Sequence, residues 1–125
     1  MEFADATSAL TARLAAGNDD LAAAGAIHLA VEAWKRLSGG DAAWDRFGLE
    51  LLDVRSRLYS DDDVVVDATV PATDGPHLRH AVMDLVEQLA QHHDRRAVHP
   101  DNGLAQRLDH DAAAQQLRRA VAALA

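Results

Sequence analysis

Seven histidines are the side chains of this sequence best suited to bind a metal ion. Two of them have an acid four residues later, since His28 precedes Glu32 and His80 precedes Asp84. On a helix this spacing puts both side chains on one face, and facing pairs on two helices are how helical bundles hold metal ions. The spacing is therefore compatible with a metal site between a second and a fourth helix.

The two histidine–acid pairs are also close to the number expected by chance. Acids occupy 20 of the 125 positions, so seven histidines meet about one acid at this spacing by chance. His80 lies on a polar helix face, His28 borders an apolar one, and no Glu-x-x-His motif of the di-iron bundles occurs. We therefore expect no metal ligand and no cofactor. A small-molecule or metal-binding bundle that uses histidines between helices is the alternative hypothesis.

A second segment rich in histidine, Gln91 to Asp101, contains three histidines and two arginines. It falls at the predicted C-terminal end of a helix, where cations interact favourably with the exposed carbonyls and with the helix dipole. We interpret its basic residues as helix-terminal caps, and the alternative is an anion site formed by Arg95, Arg96 and a histidine. His93 continues an apolar face and is expected to be partly buried.

Motifs of common enzymes are missing from the sequence. No glycine cluster has phosphate-loop spacing, and neither Gly-x-Ser-x-Gly nor His-Glu-x-x-His occurs. The chain has no cysteine, which excludes thiolate metal sites and cysteine nucleophiles. We expect no catalytic residue and favour a function that is not enzymatic.

The elements that hold these residues are predicted to be helices, because 27 alanines and regular apolar spacing favour them. We predict one all-α domain, residues 1–125, built as an up-down-type bundle of four main helices with a short fifth helix. The main helices are expected from about Asp5 to Ala16, Asp20 to Leu37, Ala42 to Tyr59 and Pro76 to Arg95. The last segment changes the phase of its apolar residues, which predicts a short helix to about Asp109 and a new helix after it.

One stretch between the third and fourth helices has the alternation of a half-buried strand. In SDDDVVVDATVP, Ser60 to Pro71, an extended chain puts Val64, Val66, Ala68 and Val70 on one face. No second strand is predicted to pair with it. We consider three arrangements, in order of preference: an extended crossover with a solvated backbone, pairing with its own copy in a dimer, and docking on another protein's sheet edge.

The third helix carries apolar residues beyond its main stripe. Leu49 and Leu52 fall off that stripe, so this helix is either central to the bundle or in contact with a partner. We predict an interaction surface formed by Leu49, Leu52, Val64, Val66 and Val70. The leading hypothesis for function is a protein-interaction or assembly module that forms a homodimer.

The net charge of the chain argues against some classes of partner for such a module. The net charge is −8, and residues 41–75, with nine acids and three bases, account for −6 of it. An acidic chain without a basic stripe argues against binding to nucleic acid or to anionic membranes. The N-terminal segment lacks the basic residues of a signal peptide, and no apolar run is near the ~20 residues of a membrane span. We expect a cytoplasmic protein.

A partial resemblance gives a weaker alternative. Tyr59 and Asp63 match the Tyr-x-x-x-Asp/Glu element of the small helical-hairpin substrates of type VII secretion. AWKRLSGGDAAW, Ala33 to Trp44, resembles in part the Trp-x-Gly turn of that family, although Trp34 lies five residues from Gly39. Three further helical segments follow Trp44, which the hairpin substrates do not have. The resemblance implies a substrate-like helical protein of such a secretion system.

Overall fold

The structure is a computed structural model that describes all 125 residues, and it confirms the predicted all-α fold. Five helices follow one another along the chain, and no strand is present apart from one isolated bridge. The helices are α1 (Phe3–Ala16), α2 (Asp20–Leu37), α3 (Ala42–Leu58), α4 (Pro76–Ala97) and α5 (Leu104–Leu124). None of the five combines the length and the hydropathy needed to cross a bilayer.

The predicted starts of α2, α3 and α4 are correct, whereas α1 begins at Phe3, two residues before its predicted start. The Asp19 carboxylate accepts from the amide of Ala22 at 2.9 Å, and the Asp41 carboxylate accepts from the amide of Ala43 at 2.8 Å. Pro76 occupies the first turn of α4, where its missing N–H leaves no helical hydrogen bond unmade.

Helix α2 packs against α1, α3 and α4. Most of its ten buried residues are alanines. Short side chains let neighbouring helices approach closely, because the distance between helix axes follows the side chains at the contact. The indole of Trp34 lies directly on the backbone of α3, where a Cβ added to Gly48 would be 2.0 Å from the indole nitrogen.

The C-terminal segment differs from its prediction, because α5 is one continuous helix of 21 residues with no break near Asp109. The change of apolar phase has another cause. Leu104 and Leu108 are 72% and 59% exposed, whereas Leu117 and Leu124 are buried in the core. The first turns of α5 therefore carry leucines that face solvent, and only its later turns pack into the bundle.

Helices α3 and α4 are connected by residues 60–75, which we call the crossover. Its C-terminal end is fixed to the bundle through Asp74, whose carboxylate accepts from the indole nitrogen of Trp44 at 3.0 Å. The Arg79 guanidinium pairs with both Asp74 and Asp41. Hydrogen bonds from Arg79 lower the pKa of Asp74, so this carboxylate is ionised at neutral pH.

Candidate functional site

The crossover alternates between buried and exposed side chains, in agreement with the pattern in the sequence. Val65 is 75% exposed. A Cβ added to Gly25 of α2 would lie 3.3 Å from a methyl of Val66, so this valine packs on the helix backbone. The half-buried residues of the crossover that pack against the core are Val64, Val66, Ala68 and Val70. One face of the crossover therefore covers the bundle of its own chain.

The backbone of the crossover is largely unpaired. The amide of Thr69 donates to the carbonyl of Met1 at 3.3 Å, and the amide of Ala68 donates to the carbonyl of Val66 at 3.1 Å. From Asp63 to Asp67 no backbone amide donates to another backbone group. Within one chain, the segment therefore adopts the first of the three arrangements considered from the sequence, an extended crossover with a solvated backbone. The dimer and the partner complex stay predictions.

An apolar groove runs beside this open backbone, between the crossover, α1 and the start of α2. We call it the crossover groove, and its volume is about 410 Å³. Its floor includes Leu10 and Gly25. Three large apolar side chains around it are exposed: Met1 at 72%, Leu21 at 60% and Val65 at 75%. The groove thus presents apolar surface to solvent next to unused hydrogen-bonding groups.

Acidic residues surround the apolar part of the crossover. Asp61, Asp62 and Asp63 precede the valines, Asp67 follows them, and all four are exposed. No lysine or arginine occurs from Ser60 to Pro71. The valines of the crossover therefore have acidic residues on both sides, and Arg13 of α1 is the one cationic side chain that lines the groove.

The five predicted interaction residues do not form one surface. Val64 and Val66 line the crossover groove, and Val64 also lines a second cavity of about 420 Å³ together with Leu52. Val70 lies over the C-terminal half of α2, beside Glu32. Leu49 is 71% exposed on α3. Helices α2 and α4 each pack against three other helices, whereas α3 packs against two, so α3 is not central to the bundle.

A polar cavity of about 320 Å³ lies at the C-terminal end of α3, and we call it the histidine cavity. Three helices supply its main groups. Tyr59 is the C-cap of α3, His92 and His93 belong to the last turns of α4, and His110 belongs to α5. The carboxylates that line it are Asp20, Asp62 and Asp109, which are all exposed.

A chain of hydrogen bonds joins three of these side chains. The Tyr59 hydroxyl lies 2.7 Å from His93 Nε2, and His93 Nδ1 lies 2.8 Å from His110 Nδ1. His93 is only 2% exposed, and burial lowers its pKa to about 3. Because neutral imidazole has one N–H, His93 donates to one of these neighbours and accepts from the other. Burial also raises the pKa of Tyr59, so the phenol is neutral as well.

His92 is the second buried histidine of the cavity, 2% exposed. Its Nε2 lies 3.6 Å from a carboxylate oxygen of Asp20, and the same carboxylate lies 3.6 Å from the guanidinium of Arg96. Burial lowers the pKa of His92, and that of His110 is lowered by burial and by the Arg96 charge. The Nδ1 of His92 has no hydrogen-bond partner. The cavity thus holds three neutral imidazoles, one of them with an unused ring nitrogen.

The histidines that the spacing singled out lie elsewhere. His28 is half-buried and lines the cavity shared by Leu52 and Val64, while His80 is exposed. No group of three or more histidine, aspartate and glutamate side chains is arranged to hold a metal ion. His93 is more deeply buried than predicted. Tyr59 and His110 reach it from 34 and 17 residues away, and no local sequence signal marks such contacts.

The two arginines of the same segment have specific partners. Arg95 donates to the carbonyl of Leu14 at 2.8 Å, so it satisfies the C-terminal end of α1 and not of its own helix. Arg96 faces Asp20. The two guanidinium groups therefore face different elements, α1 and the first residue of α2, and the Nε of each is buried without a hydrogen-bond partner.

Comparison of the chain with protein-family models, with curated proteins and with solved structures gives no match. Functional proposals for this protein therefore rest on its own residues and their geometry.

Proposed function

We propose that this protein is an interaction module that binds an extended, basic segment of another protein along the crossover groove. The observation that carries the proposal is the open backbone from Asp63 to Asp67 beside exposed apolar side chains. An unpaired extended segment is a template for a further strand, and main-chain hydrogen bonds supply much of the affinity in such complexes.

Side-chain recognition follows from the alternation of an added strand. Every second side chain of the bound segment would point towards the bundle, into the apolar space between Leu10, Leu21 and Val65. Burying one valine or leucine side chain there contributes roughly 1.5–3 kcal/mol before the cost of ordering the peptide. A partner with valine, isoleucine or leucine at alternate positions suits the groove.

Charge selects a basic partner over a second copy of this chain. The stretch from Ser60 to Pro71 has four aspartates and no base, so a pair of copies has eight carboxylates and no cation in the two stretches. Like charges across paired strands are destabilising, whereas opposite charges are favourable. Lysine or arginine at the ends of the partner segment would lie near Asp61, Asp63 and Asp67.

The proposal is tested with a nine-residue fluorescent peptide that has a Val-Thr-Val-Thr-Val core and two lysines at each end. We expect saturable binding in fluorescence anisotropy, and weaker binding when glutamates replace the lysines. Replacing Asp61, Asp63 and Asp67 with asparagine should weaken binding of the lysine peptide. Asp62 is left intact, because it also lines the histidine cavity.

Two further variants locate the contact. Val65→Pro removes one amide donor of the open backbone, and Leu21→Ser removes apolar surface from the groove, so each should weaken binding. Leu49→Ser is the matched control, since Leu49 is also exposed, at 71% against 60% for Leu21, but belongs to α3. Equal loss in Leu49→Ser and Leu21→Ser would overturn the assignment to the groove. Concentration-dependent mass in light scattering that Val65→Pro abolishes would identify a second copy as the occupant and overturn the choice of a basic partner.

A further inference from the structure

We infer that the histidine cavity is a binding site for a small organic amine in its protonated form. The inference is independent of the crossover groove. Two observations of geometry lead to it: an unused buried acceptor on His92 and an excess of carboxylates around the cavity. The neutral histidines add no positive charge to offset that excess.

The unused acceptor is Nδ1 of His92, whose side chain lines the cavity and is 97% buried. The Asp20 carboxylate, 3.6 Å from Nε2, favours the tautomer with its proton on Nε2. The lone pair of Nδ1 is then without a donor. Leaving a buried acceptor unpaired is unfavourable, and a ligand N–H that reaches it would remove that penalty.

The charge around the cavity fits a cation. Asp20, Asp62 and Asp109 contribute three negative charges, and Arg96 contributes the single permanent positive charge among the lining side chains. The three imidazoles add nothing to this sum, because their pKa values are lowered by burial. The cavity is thus negative by two charges, which attracts ammonium groups and repels carboxylates and phosphates.

The size of the cavity limits the ligand. Its volume of about 320 Å³ is at the lower end of the range for small-molecule sites. The ring of Tyr59 lines one part of it, and the face of a tyrosine ring interacts favourably with ammonium groups. A short aliphatic diamine or an arylalkyl amine matches both the size and the charge.

The test uses three four-carbon compounds of the same length: 1,4-diaminobutane, 1,4-butanediol and succinate. Isothermal titration calorimetry in 100 mM salt should show one site for the diamine and none for the diol or the dicarboxylate. The ring resonances of His92 and His110 should shift with the diamine in NMR spectra. Ethanolamine and 2-phenylethylamine complete the panel of amines.

A charge-matched pair of double variants separates a site from general attraction to an acidic protein. Asp62→Asn with Asp109→Asn should weaken diamine binding by about tenfold or more, since both carboxylates line the cavity. Asp5→Asn with Asp45→Asn removes the same two negative charges outside the cavity and should leave the affinity unchanged. Equal weakening in both double variants would overturn the inference of an amine site. Failure of all three amines to bind at about 10 mM, a concentration at which even weak ligands are bound, would overturn it as well.

Discussion

Replacing His93 with glutamine should remove a large part of the pH dependence of stability. In the unfolded chain the histidine binds a proton below its ordinary pKa of 6.5, whereas in the folded protein its pKa is about 3. Between these values the unfolded state holds more protons than the folded state. The free energy of unfolding therefore rises with pH in this range. The contribution of His93 to it is fully present above about pH 6.5 and is lost as the pH falls towards 3.

The size of the effect follows from these two pKa values. Lowering the pH from 7 to 5 makes protonation of His93 in the unfolded chain favourable, while the folded chain remains neutral at this position. The free energy of unfolding then falls by about 2 kcal/mol on account of this residue. The lowered pKa values of His92 and His110 act in the same direction.

Urea denaturation at pH 7 and pH 5 measures the difference. Glutamine offers an N–H and a carbonyl to Tyr59 and His110, so His93→Gln preserves hydrogen-bonding capacity but cannot titrate. The variant should lose less stability between the two pH values than the wild type, by about 2 kcal/mol. His80→Gln is the control, because His80 is exposed. An unchanged pH dependence in His93→Gln would refute the assignment of a neutral, buried His93.

Two stability predictions concern close packing on helix backbones. Gly48→Ala puts a Cβ 2.0 Å from the indole nitrogen of Trp34. This variant should destabilise the fold by about 1–3 kcal/mol in urea denaturation. Gly40→Ala is the control and should change stability little, because a Cβ at Gly40 meets nothing within 4 Å. Val66→Asp puts a carboxylate against the core and should cost about 1–3 kcal/mol, while Val65→Asp at the exposed neighbour should stay within about 0.5 kcal/mol of the wild type. Equal stabilities within either pair would contradict the packing described here.

Most of the helical architecture could be predicted from the sequence because local signals agree with tertiary structure. Asp19 and Asp41 are N-caps, and Pro76 suits a first helical turn, so three helix starts were correct. The prediction of a helix break near Asp109 was wrong, and the reason lies in the exposed leucines of α5. The periodicity of α5 was interpreted on the assumption that leucines are buried, whereas Leu104 faces solvent.

The candidate sites were less predictable than the helices. The alternation of the crossover valines is local, and it predicts correctly which of them face the bundle. The groove beside them is not local, because Leu10 and Leu21 come from the first two helices. The histidine cavity depends wholly on tertiary contacts: Tyr59, His93 and His110 come from three separate helices. The i, i+4 spacing of His28 and His80 from acids does not predict the histidine cavity, because neither residue lines it.

Hydrogen exchange of the crossover amides tests the proposed function most directly. In the free protein the amides from Asp63 to Asp67 have no backbone acceptor and should exchange rapidly. Saturation with the lysine-flanked peptide should slow exchange at alternate positions of this stretch, because only every second amide of a strand faces a given neighbour. The amides of α3 around Leu49 should not change. Saturable peptide binding that leaves the exchange of residues 63–67 as fast as in the free protein would contradict the proposal.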